Sequence, residues 1–175
     1  MTAFILYVAT SLDGYIARTD GRVDWLSAFE SESNDHGYAE FYQSIDALVM
    51  GSVTYEQVLS FGDWVYAGKP TYVLTNRQLS SDREDVAFRN SVEAVIDDAK
   101  KFQRVWIVGG ANLAASFAKK GLIHDYIIVV MPLILGSGIS LYASLPEQML
   151  QLVEAKPYPS GAVELRYKNA QKNNG

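Results

Sequence analysis

The chain has 175 residues, a hydrophobic share of 49%, a charged share of 20% and a formal net charge of −5. That is the length of one domain, able to bury about 70% of its unfolded surface without disulfide or metal support. A pI near 5.0 argues against a nucleic-acid binder, and the absence of cysteine removes disulfides, thiolate metal sites and thiol nucleophiles.

MTAFILYVATSLDG opens the chain with an apolar run at residues 4–9, which predicts a buried strand feeding a turn. It lacks the basic flank and cleavage site of a secretory signal, and no apolar run reaches the ~20 residues of a membrane helix. A cytoplasmic protein without membrane contact is therefore expected. SLDGYIARTDGR follows, with two Asp-Gly pairs and no helical period, as a long structured loop. Residues 23–29 predict a short helix. Asn34 or Asp35 offers a cap for a helix running to about Ile45, with Tyr38, Phe41 and Tyr42 on one face.

ALVMG (47–51) predicts a strand, and the helix after it closes at Gly62. Strands follow at 71–75 and 86–88, then a helix in SVEAVIDDAKKF with Val92, Val95, Ile96 and Ala99 in one stripe. RVWIV predicts a strand, ANLAASFAKK a helix ended by Gly121, and DYIIVVMPLIL one long strand. QLVEAKPY and AVELRYK predict a closing hairpin, and the polar tail NAQKNNG frays. Apolar strands alternating with amphipathic helices make one α/β domain over residues 1–175, mainly parallel, with helices on both faces.

Chemistry is sought where strands run into helices, because ligands of open α/β sheets bind beyond the carboxyl ends of the strands. Gly109 and Gly110 stand at one such end, followed by Ala111 and Asn112; either a ligand lies on the bare backbone or the pair makes a tight turn. The spacing is not a G-x-G-x-x-G fingerprint. Gly51 stands at a second end, with Ser52 and Thr54 hydroxyls that face a ligand or cap the helix. A third offers Thr75, Asn76 and Arg77, whose guanidinium suits a phosphate. Two carboxylates compete for a catalytic place. Asp13 is either a proton-relaying acid or an Asp-Gly turn residue, and Asp35 is either a substrate-holding acid or a helix cap. His36 and His124 each adjoin an aspartate but have no metal-ligand spacing, so no metal site is expected.

ATSLDGYIA, LVMGSVTYE, YVLTNR, VGGANL and MPLILGSG, in this order, resemble the dihydrofolate reductase-like superfamily, and most of all the reductase domain of riboflavin biosynthesis. The resemblance runs from about Ala3 to Tyr142. It implies an eight-stranded mixed, mostly parallel sheet, a homodimer and NADPH as cofactor. It places the pyrophosphate between the helices after Gly51 and Gly110, and the nicotinamide near Ala9 and Ile16. The implied activity is that of a 5-amino-6-(5-phosphoribosylamino)uracil reductase, or hydride transfer to another pyrimidine- or pteridine-like small molecule. The alternatives are a dihydrofolate reductase and a non-catalytic nucleotide-binding protein on the same fold. The sequence also departs from these families. Ser52 replaces the arginine that follows the second-strand glycine in dihydrofolate reductases. Tyr7 and Val8 stand where pathway reductases carry a lysine, and Val108 where they carry an acid.

Overall fold

The computed structural model describes residues 1–31 and 34–170; the predicted fraying of the tail falls mainly on residues outside that range. Eight strands form one sheet in the order β5-β4-β3-β6-β1-β7-β10-β9. They are β1 (Ala3–Thr10), β3 (Ala47–Gly51), β4 (Thr71–Leu74), β5 (Val86–Arg89), β6 (Arg104–Gly109), β7 (Ile123–Val130), β9 (Leu150–Pro157) and β10 (Val163–Asn169). Every pairing from β5 across to β7 is parallel; β10 runs antiparallel to both β7 and β9. The mixed, mostly parallel eight-stranded sheet is thus present.

Period-two alternation sorts each central strand between two cores. Phe4, Leu6, Ala47, Val49, Val105 and Ile107 face the helices α3 (Val92–Ala99) and α4 (Ala111–Lys119). Ile5, Tyr7, Leu48, Met50 and Trp106 face the other way, toward α1 (Tyr38–Ser44), α2 (Ser52–Ser60) and a 3₁₀ turn at Asp24–Ala28. Both faces of the sheet are therefore covered, as a parallel sheet requires. Trp106 joins the central strands, its Nε1 donating to the Tyr7 carbonyl at 3.0 Å inside the core.

The site is set by one topological fact. β3 and β6 are neighbours and parallel, yet α2, which follows β3, and α4, which follows β6, pack on opposite faces. Chains leaving adjacent strands in opposite directions open a crevice at the carboxyl edge of the sheet.

Three expectations need correction. The long strand ends at Val130, not near Leu135, because Pro132 has no N–H to continue a ladder. The loop after Asp13 contains β2 (Tyr15–Ala17), paired with β8 (Ile139–Ser140) in a separate small sheet. These strands are too short to show alternation. Helix α1 starts from Gly37, at φ 78, rather than from Asn34 or Asp35, but Asp35 still serves its first turn by accepting the Ala39 N–H at 2.8 Å. No helix among the described residues is long and apolar enough to cross a membrane.

Candidate active site

The crevice opens into a cavity of about 680 Å³, within the usual range of small-molecule sites. Its floor is strand backbone at Ala9, Gly51 and Gly109, and its sides are the first turns of α2 and α4. Of the twelve cofactor residues expected from sequence, Ala9, Ile16, Gly51, Ser52, Thr54, Gly109, Gly110, Ala111 and Asn112 line it together.

Gly51 and Gly110 have φ near −77 and −80, which any residue adopts, so the backbone does not demand glycine at either. What a side chain at either would enter is the cavity itself. A Cβ on Gly51 would meet nothing within 4 Å, and one on Gly110 only Thr54 Oγ1 at 3.8 Å. Both would project into open volume. Gly109 differs, with φ 131, a value only glycine adopts readily.

The helices at the crevice start without a side-chain cap, as α1 does, whereas α3 has one. Helix α3 is closed at its start by Ser91, whose hydroxyl accepts from the Ala94 N–H at 3.2 Å. Neither α2 nor α4 has a side-chain cap, although Ser52 and Thr54 stand in the first turn of α2. Two sets of first-turn N–H groups, each at the positive end of a helix dipole, therefore face one cavity. Its lining contains no lysine or arginine, so backbone N–H groups and hydroxyls are its means of holding a phosphate. The bare glycines and the two open helix starts fit an extended dinucleotide. Gln57, absent from the sequence reading, lines the same cavity and donates to the Gly21 carbonyl at 2.8 Å, tying α2 to the loop beside β2.

Thr75, Asn76 and Arg77 do not belong to this lining, which reaches only Leu74 on that strand. Arg77 pairs with Glu56 of α2 at 2.8 Å, and both side chains are half exposed. Thr75 Oγ1 accepts the Arg77 N–H at 3.0 Å. The guanidinium expected to grip a phosphate is thus paired with a carboxylate of α2 and stands outside the lining.

A second cavity of about 350 Å³ shares Tyr7, Ala9 and Leu26 with the first. Glu30, Ser31, Asn34, Asp35, His36, Tyr38, Val129 and Met131 complete it. Here the two aspartates part. Asp35 lines this cavity while its carboxylate accepts the N–H groups of Ala39 at 2.8 Å and Gly37 at 3.0 Å. Those bonds, the Ala39 one first, hold its carboxyl below the usual aspartate range against a smaller opposing effect of burial. Asp13 lines neither cavity. Its carboxylate accepts the Ser11 hydroxyl at 2.6 Å and the N–H groups of Leu135 at 3.0 Å and Gly136 at 2.8 Å. Ser11 leads in pulling its carboxyl down as well. Both carboxyls are thus pulled down rather than raised, Asp13 chiefly by the Ser11 hydroxyl and Asp35 chiefly by the Ala39 N–H. Asp13 ties the loop after β1 to the loop after β7.

Sequence reading missed Tyr7 as a wall of both cavities. Its ring stacks on Phe41 at 4.2 Å and meets Trp106 edge-on at 5.9 Å. Burial first, then the negative Glu164, pushes its hydroxyl well above the ordinary tyrosine value, so it stays protonated. Burial likewise pushes Tyr38 up to about 12. His36, 6% exposed, exchanges a hydrogen bond between Nε2 and Ser160 Oγ at 2.8 Å. His124 lies at the start of β7, accepting the Phe4 N–H at its Nδ1 at 3.2 Å. Among the described residues no three His, Asp or Glu side chains gather to hold a metal ion.

Comparison with known proteins agrees with this architecture. The chain is 40% identical over 171 residues to the uncharacterized protein YwjB of Bacillus subtilis, covering 95% of this chain and 97% of that one. It is 29% identical over 155 residues to the riboflavin biosynthesis protein RibD of Corynebacterium ammoniagenes, covering 79% of this chain but 45% of the relative. A solved protein of Shewanella sp. PV-4, named for riboflavin biosynthesis, superposes with a TM-score of 0.83 at 32% identity, covering 95% of this chain and 98% of that one. The family model of the RibD C-terminal domain matches residues 68–163, just over half of the chain. With the mixed sheet and its carboxyl-edge crevice already in view, the match is decisive: the chain belongs to the RibD C-terminal domain family.

Proposed function

We propose that the chain is a reductase that binds NADPH in the larger cavity and reduces a pyrimidine- or pteridine-like small molecule in the smaller one. The observation that carries this reading is the convergence of two uncapped helix starts, across Gly51 and Gly110, on one cavity that shares a wall with a second. The dinucleotide, when bound, supplies a hydride to an electron-poor C=N or C=O carbon. The residues do the rest. First-turn N–H groups of α2 and α4 hold the pyrophosphate, and Ala9, Ile16 and the Gly109–Gly110 backbone flank the nicotinamide. Asp35, ionised at neutral pH, accepts N–H groups of the substrate and fixes its orientation. It is an anchor and not a proton store. The Tyr7 and Tyr38 hydroxyls, kept protonated by burial, donate hydrogen bonds, and the proton joining the substrate atom beside the new C–H bond comes from water.

The test is direct. Trp106 lines the larger cavity, so added NADPH is expected to quench tryptophan fluorescence in a saturable way. NADPH oxidation is then followed with dihydrofolate and with ribosylaminopyrimidines, phosphorylated and not. Quenching without oxidation of any substrate would make this a dinucleotide-binding protein without reductase activity. Absence of quenching and of thermal stabilisation would sink the reading.

A further inference from the structure

With the dinucleotide in the larger cavity, as proposed above, the smaller cavity is left to the substrate, and its charge is unusual for a family named after a phosphate-bearing pathway. Its wall holds two carboxylates, Glu30 and Asp35, and neither lysine nor arginine. The described residues of 24–31 and 34–37, which supply most of it, carry the carboxylates of Asp24, Glu30 and Asp35 and no lysine or arginine. The guanidiniums nearest in sequence to this segment and to the Glu164 cluster behind it are already engaged. Arg22 pairs with Asp20 at 2.7 Å, Arg18 with Asp24 at 2.7 Å, and Arg166 is held by Glu164 and by Glu154 at 3.7 Å. The one imidazole in the wall, His36, directs its Nε2 to Ser160 Oγ. Behind the wall lies Glu164, 1% exposed, accepting the Tyr158 hydroxyl at 3.2 Å.

A phosphomonoester carries close to two negative charges at neutral pH. Placed here it would lose water without meeting a cation, beside groups that repel it, and such a charge is costly to bury. The helix N-termini that suit phosphate belong to the other cavity. The remaining lining, Tyr7, Tyr38, Val129 and Met131, is aromatic and apolar and suits a flat ring. An ionised Asp35 suits ring or amino N–H donors.

We propose that the smaller cavity takes an unphosphorylated planar heterocycle, neutral or cationic, with N–H groups directed at Asp35, and rejects its phosphorylated counterpart. This chain would thereby act on the dephosphorylated or phosphate-free relatives of the pyrimidines that pathway reductases handle.

The experiment uses the full chain saturated with NADPH and titrated calorimetrically with three probes: 2,4-diaminopyrimidine, uridine and uridine 5′-monophosphate. The same titrations are repeated without NADPH, and NADPH binding is measured on its own. Uridine and the diaminopyrimidine are expected to bind, and the monophosphate at least ten-fold more weakly than uridine. Glu30→Lys, at an exposed position, should narrow that gap by several-fold. The proposal is overturned if the monophosphate binds as well as uridine, if none of the three binds, or if Glu30→Lys leaves the gap unchanged. A chain that ignores NADPH yet keeps this order of probes overturns the cofactor reading and leaves the substrate class standing.

Discussion

The two cavities share Tyr7, Ala9 and Leu26 and are otherwise made of different material. The larger one offers polarity chiefly from backbone: four glycines, two uncapped helix starts and no charged side chain in its lining. The smaller one is chiefly side chain, with two carboxylates, an imidazole and tyrosine hydroxyls. The difference follows from what each must recognise. A pyrophosphate is the same in every dinucleotide, and the main chain of a parallel sheet presents N–H groups to it without any particular side chain. A substrate is selected by the side chains around it. The backbone cavity should therefore be broken by filling space, and the side-chain cavity by changing charge.

Filling space gives the largest expected effect. Gly51 has φ −77 and ψ 163, which valine adopts readily, and no neighbour within reach of a Cβ. Gly51→Val should fold with an unchanged melting temperature and a cooperative transition. The added methyl groups occupy dinucleotide space, and overpacking of about 1–3 kcal/mol corresponds to roughly ten- to hundred-fold weaker NADPH binding. Gly110→Val is the companion on α4. Normal NADPH binding in both, measured by fluorescence quenching, would mean that the glycines only shape the turn.

Changing charge separates the aspartates. Asp35→Asn removes an anionic acceptor from the smaller cavity; losing a charge-assisted hydrogen bond of about 1.5–3 kcal/mol lowers kcat/KM by roughly ten- to hundred-fold, with NADPH affinity unchanged. Asp13→Asn should leave kcat/KM within about two-fold, since neither cavity touches Asp13. Its effect belongs to stability and pH. The folded Asp13 carboxyl is held below its unfolded value, so its stabilisation is complete above about pH 4 and is lost as pH falls through the folded value. Melting curves of Asp13→Asn should therefore lie below wild type at neutral pH and approach it in acid. Loss of turnover in Asp13→Asn with Asp35→Asn active would reverse the two assignments.

The carboxyl-edge site was legible wherever backbone builds it. Gly51, Gly109 and Gly110 interrupt apolar runs at strand ends, a local signal that survives without knowledge of the fold. The side chains were harder to place. Asp13 and Asp35 each precede a glycine or a histidine–glycine pair in a polar stretch, and each is consistent with a turn or a site. Only the pairing of Leu135 and Gly136 with Asp13, more than a hundred residues away, decides the matter. Tyr7 reads as one more core residue of an apolar strand, because nothing local shows that its hydroxyl lies in the field of Glu164 and Asp35. The same holds for Arg77. Sequence places it one turn after a strand end, where a phosphate grip is plausible, but only the packing of α2 brings Glu56 to it.

Arg77 gives the smallest expected effect and tests the boundary of the larger cavity. Its ion pair with Glu56 is half exposed, with side-chain exposures of 51% and 49%. Such a pair contributes about 0.2–1 kcal/mol, because water and salt screen both charges. A guanidinium held there, outside the lining, acts on a 2′-phosphate only across solvent. Arg77→Ala should then lower the preference for NADPH over NADH by no more than about two- to three-fold, less at high salt. Glu56→Gln frees the guanidinium without moving the helix, and should raise that preference by a similar factor. Titration of both nucleotides against wild type and the two variants at two salt concentrations decides it. A loss of ten-fold or more confined to NADPH in Arg77→Ala would mean that Arg77 leaves Glu56 when the dinucleotide binds. The cavity would then carry a side-chain determinant of its own, and the contrast between a backbone cavity and a side-chain cavity would hold only for the pyrophosphate.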